Sequence, residues 1–214
     1  MTIQNILLKM AFEGKVSKKS DALKSFHELV AILPNELLSN NPLLIQSIYS
    51  NLLLTRQKKA KNTTDWLSLA LAKRGGAQPF LWDIYVNDTY AVATNGFALH
   101  AMVKQEELPV GYINVKGEPL TLDYEYPDVN RVLPDMNSPD WKDLSNAVIS
   151  YGFSGKTTYV KIDNAAVDIN YYDAGMANPI PFTDYLISGD KISFKNIYGY
   201  IALIVKLNIK EDTL

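Results

Sequence analysis

Hydrophobic positions change their period near residue 62. Before it the spacing is helical: Leu7, Met10 and Ala11 share a face, and Ala22, Leu23, Phe26, Leu29, Val30 and Leu33 repeat that face over several turns. Ser20-Asp21 supply an N-cap, Pro34 and Pro42 punctuate, and a third apolar segment over 43–54 runs into Arg56-Gln57-Lys58-Lys59-Ala60-Lys61. After it, a short helical stretch over 65–73 is expected to end at Gly75-Gly76, which can take the positive φ of a C-cap. Strands are then predicted over 80–86, 90–94 and 97–103. Asn87-Asp88-Thr89 joins the first two, and Asn95-Gly96, whose residue types suit a two-residue hairpin connection, joins the next.

The same order returns downstream. A helix is predicted over 141–150, a glycine-containing break over 152–155, strands over 157–163 and 167–172, and a last hairpin from Lys191-Ile192-Ser193-Phe194 through Asn196 to 200–207. Between the halves lies a hairpin-like insert over 110–122, with Lys116-Gly117 at its tip, leading into residues 126–134. Helix then antiparallel strands, twice, predicts a pseudo-repeated α+β domain over 63–214, preceded by a helical N-terminal region over 1–62.

Charge separates the same two parts. The net −2 of the 214 residues conceals +5 in residues 1–62, where nine Lys/Arg face four acids, and −7 in the remainder. The chain has no cysteine, so disulfides and thiolate metal sites are excluded and a reducing compartment, the cytoplasm, is the expectation. Apolar runs stop short of the ~20 residues a membrane span needs, and Met1-Thr2-Ile3-Gln4 lacks a basic signal-peptide start, so no membrane partner is expected.

Candidate catalytic groups are sparse. His27 falls within an amphipathic helical pattern and reads as a packing or helix-surface residue; His100 falls on a strand, on the face opposite Leu99. No Gly-x-Ser-x-Gly elbow accompanies either. The run Gly152-Phe153-Ser154-Gly155-Lys156-Thr157-Thr158 lacks nucleotide-loop spacing, because Ser150 stands where the first glycine would be, and it leads into a strand; it reads as a turn. Glu106-Glu107 and Asp140/Asp143 read as solvated carboxylates. Tyr159, Tyr171, Tyr172, Tyr185, Tyr198 and Tyr200 lie among acids and are assigned to sheet packing rather than to a base-stacking platform. No enzyme activity, cofactor or metal is expected.

Two short motifs are more informative. Tyr90-Ala91-Val92-Ala93-Thr94-Asn95-Gly96-Phe97-Ala98-Leu99-His100-Ala101-Met102 and Tyr126-Pro127-Asp128-Val129-Asn130-Arg131-Val132-Leu133-Pro134 resemble, in order, segments of the bacterial DNA polymerase sliding clamp (the β subunit). Residues 79–86 and the terminal Tyr200-Ile201-Ala202-Leu203-Ile204-Val205-Lys206-Leu207 are similar to further segments of that family. The resemblance covers roughly 65–207 and implies a single clamp-like domain. In the family these segments line a hydrophobic pocket that captures short peptides of polymerases and other clients. Carried across position by position, the pocket would involve Thr94, Gly96, Leu99, Pro134 and Val205. The family's His-Arg after the turn glycine is Phe97-Ala98 here, and its Met-Pro-Met tail is Leu203-Ile204-Val205. Arg56, Lys58, Lys59, Lys61, Lys73 and Arg74 are the DNA-binding candidates. The resemblance implies a clamp-like accessory protein of phage or mobile-element type, a homo-oligomer that docks on replication or transcription proteins and contacts double-stranded DNA. A monomeric decoy that binds a host replication or transcription protein is the alternative, and an unrelated enzyme the second.

Overall fold

The computed structural model describes residues 59–76, 78–154 and 157–209. The helices expected over 1–58, with His27, Arg56 and Lys58, lie outside the described residues. Helix α1 (Thr63–Ser68) is followed by strands β1 (Ile84–Val86), β2 (Tyr90–Thr94), β3 (Ala98–Val103), β4 (Gly111–Ile113), β5 (Pro119–Leu120), β6 (Lys142–Asp143), β7 (Ile149–Ser154), β8 (Thr157–Ile162) and β9 (Ala165–Asp168). Helix α2 (Ile169–Met176) leads into β10 (Asp184–Ser188), β11 (Lys191–Lys195) and β12 (Tyr200–Val205). Nine strands form one antiparallel sheet in the order β5-β4-β1-β2-β3-β12-β11-β10-β6, and β7-β8-β9 form a second. The order β1-β2-β3-β12-β11-β10 reads the same from either side: each half is a helix and a three-strand meander, joined where Leu99 pairs with Leu203. The domain is therefore α+β and pseudo-repeated.

The position of the second helix corrects the sequence reading. Residues 141–150 are not helical: Lys142–Asp143 pairs with β10, and Asp143 accepts from Ser145 N–H (2.8 Å) to start a single 3-10 turn over Leu144–Asn146. None of residues 141–150 is fully buried, so a helix there would have no apolar face to set against a core. The helix forms at Ile169–Met176, beginning inside the stretch read as strand over 167–172. Asp168 caps it by accepting from Asn170 N–H (2.7 Å), and Ile169, Tyr172 and Gly175 are buried three residues apart. The first helix is shorter than expected and ends at Ser68; Gly75, with φ +94°, belongs to a later turn. The first half of the strand expected over 80–86 is a 3-10 turn, Pro79–Leu81. The insert hairpin forms as β4 and β5, with Gly117 at φ +83° near its tip.

Both faces of the large sheet are covered. On one, Trp66 of α1 is completely buried, donates from Nε1 to Gly175 O (2.9 Å) and stacks on His100 with ring centroids 4.4 Å apart. Gly175 lets α2 approach the sheet closely there: a Cβ at that position would lie 3.3 Å from Cβ of Ala202, a tight contact. On the other face Val92, Leu99, Ala101, Ile201 and Leu203 pack beneath Tyr112, Tyr126 and Val129. The segment running on from Tyr126 thus forms a flap over the centre of the sheet.

Candidate functional site

The turn between β2 and β3 sets one wall of the site. Thr94 pairs with Leu99, and Asn95 N–H donates to Ala98 O (3.2 Å), so Gly96-Phe97 rather than Asn95-Gly96 occupies the tip. Gly96 takes φ +90°, which an L side chain rarely adopts. Asn95 Oδ1 accepts from the N–H groups of Phe97 and Ala98 (both 2.9 Å), while Thr94 Oγ1 donates to Ala98 O (2.7 Å) and accepts from Gly96 N–H (3.1 Å). Because the turn satisfies its own polar groups, it can border an apolar hollow without leaving unpaired donors. Phe97 projects from it, 59% exposed, and stacks on Tyr171 of α2 with centroids 6.1 Å apart.

The flap supplies the opposite wall. Tyr126 stacks on Tyr85 with centroids 4.6 Å apart, and burial pushes its phenol far above its usual range. Asp128 accepts from Asn130 N–H (3.1 Å) and starts the 3-10 turn Val129–Arg131, which buries Val129. Further on, Lys195 Nζ donates to Met136 O (2.8 Å) and lies 4.3 Å from the Trp141 ring centroid, tying the flap to β11.

Between these walls is a cavity of about 310 Å³, lined by Phe80, Thr94, Gly96, Phe97, Leu99, Tyr126, Val129, Val132, Lys191, Leu203 and Val205 among others. Four of the five residues singled out by resemblance, Thr94, Gly96, Leu99 and Val205, line it. Pro134 does not; it lines a neighbouring groove of about 830 Å³ between the flap and the β10–β11 hairpin. Cavity and groove share Val132, Lys191 and Leu203. Lys191 escaped the sequence reading because its place follows from strand register, opposite Val205, and no local motif marks it. Val129 and Val132 were within the motif, but only the 3-10 turn shows which side chains face the sheet.

His100 does not reach this site. It is completely buried on the helix-covered face, with Nδ1 2.9 Å from Trp66 O and Nε2 without a partner among the described residues; burial lowers its pKa to about 4, against the opposing effect of the Trp66 hydrogen bond. Of the basic candidates, Lys59, Lys61 and Lys73 are exposed, and Arg74 Nη2 is held 2.6 Å from the buried carboxylate of Asp83. Tyr172, Tyr185 and Tyr200 pack in the core as expected, whereas Tyr198 is exposed, beside Ile197. Among the described residues no three His, Asp or Glu side chains are grouped to hold a metal ion, and no helix is long and apolar enough to cross a membrane.

No protein-family model and no curated protein matches the sequence. The solved structures similar to it include three sliding-clamp subunits. DNA polymerase III subunit beta from Borrelia burgdorferi matches with a TM-score of 0.46 and 12% identity, covering 72% of this chain and 63% of that one. The DNA polymerase sliding clamp from Bacillus subtilis gives 0.45 and 11%, covering 68% and 61%. The DNA polymerase III beta subunit from Thermotoga maritima gives 0.43 and 10%, covering 72% and 64%. The chain thus spans less than two thirds of each of these structures.

Proposed function

We propose that this protein is a non-enzymatic accessory domain that docks on DNA replication or transcription machinery by capturing a short peptide of a partner in the cavity between the β2–β3 turn and the flap. The observation that carries the reading is convergence. Thr94 and Leu99, Val129 and Val132, and Leu203 and Val205 come from three segments remote in sequence and line one concavity. Its volume lies within the ~300–1,000 Å³ of ordinary ligand pockets, and its lining is mostly apolar, which suits an inserted side chain better than bond-making chemistry. The motifs that resemble sliding-clamp segments are the ones that supply these walls.

Contact with double-stranded DNA through Lys59, Lys61 and Lys73, extended by Arg56 and Lys58, and self-association belong to the same proposal. Arg74 contributes less, because Asp83 already neutralises it.

The test is fluorescence anisotropy with labelled client peptides from bacterial replicative polymerases, using the full chain and its Val132→Asp and Val205→Asp variants. Val132 is partly exposed and Val205 stands at the end of β12, so the fold tolerates both changes. A carboxylate at the mouth, which a bound peptide would cover, should weaken binding by about tenfold or more. Affinity in both variants equal to that of the unsubstituted chain, with unchanged circular dichroism, contradicts the reading.

A further inference from the structure

We infer that the occupant of this site is an extended peptide in which an apolar anchor is followed directly by an acidic residue, and that Lys191 selects it. This rests on the docking reading above. Among the described residues only two charged side chains line the apolar cavity, Asp128 and Lys191. Asp128 is already engaged: Asn130 donates to it from its backbone N–H and its side-chain amide (both 3.1 Å), and Arg131 Nε lies 3.5 Å away. Lys191 forms no ion pair among the described residues, and it lines both cavity and groove.

Its position is fixed by the sheet. Lys191 pairs with Val205 in the β11–β12 ladder, one strand from the Leu203–Leu99 pair that floors the cavity. Lys191 as a residue is half-buried; a ligand that fills an apolar hollow beside a lysine strips water from the charge, and an anion on that ligand offsets the loss. The groove beyond offers no comparable free cation among the described residues: Asp135, Asp140 and Asp190 line it, while its other two basic residues are engaged, Arg131 by Asp128 (3.5 Å) and Lys142 by Asp163 (3.6 Å). An acidic residue therefore fits at the junction, next to the anchor, and not further along.

The experiment uses ten-residue labelled peptides with one apolar anchor, followed immediately by Asp, Asn or Lys, and a fourth with Asp moved three residues downstream. The full chain should bind the Asp peptide on the order of fivefold more tightly than the Asn peptide at low salt, and the preference should shrink as salt rises. Lys191→Glu should reverse the order, favouring the Lys peptide, and moving the Asp should abolish the gain. If all four peptides bind equally, Val132→Asp weakens them all and Lys191→Glu changes nothing, the docking reading stands and the role of Lys191 is overturned. If none binds, both are overturned.

Discussion

His100 shows how a single residue's surroundings decide its role. Strand alternation placed it correctly on the face opposite Leu99, but its partner there is the backbone of Trp66, and it lines neither the cavity nor the groove. Burial takes it from the usual imidazole value of 6.5 to about 4, so the unfolded chain binds more protons between those values. Its contribution to stability is full above pH 6.5 and is lost as pH falls toward 4, amounting to about 3 kcal/mol over the window. Thermal unfolding followed from pH 7 to pH 4 should show this loss, and His100→Gln should flatten that part of the profile while lowering stability at pH 7. Trp66 is the larger anchor: Trp66→Ala should cost about 3–5 kcal/mol in denaturant titration, through the lost packing on His100 and the unpaired Gly175 carbonyl.

At the scale of elements, the legible parts of the sequence were those with local signals. The meander of β1 to β3 and the insert hairpin were marked by alternation and by Asn95-Gly96 and Lys116-Gly117. The second helix was hidden because Ile169 to Tyr172 also reads as strand, and an eight-residue helix takes most of its stability from what it packs on. Asp168→Ala should therefore remove the cap and destabilise the domain by about 1 kcal/mol, measured by chemical denaturation. The flap was legible as a motif but not as a wall. Its attachment by Lys195 to Met136 O and the Trp141 ring is a long-range contact without a sequence signature. Lys195→Met should leave the sheet intact yet speed hydrogen exchange across residues 134–141.

For the whole molecule, palindromic strand order explains why one site lies near the centre of the sheet: joining β3 to β12 brings the β2–β3 turn and the end of β12 together beneath the flap. Net charge divides the sequence into a basic part over 1–62 and an acidic remainder, but it could not place Lys191. Replacing Lys59, Lys61 and Lys73 together by Ala should weaken any association with duplex DNA and reduce the salt slope by roughly 2–3, read by binding titrations at several salt concentrations. The central claim, that a partner peptide occupies the cavity, is tested most directly by methyl chemical-shift mapping during titration with a client peptide. Methyl signals of Leu99, Val132, Leu203 and Val205 should move together and saturate, while Val160 and Val167 of the small sheet stay still. Saturable binding that leaves those four unmoved would contradict it.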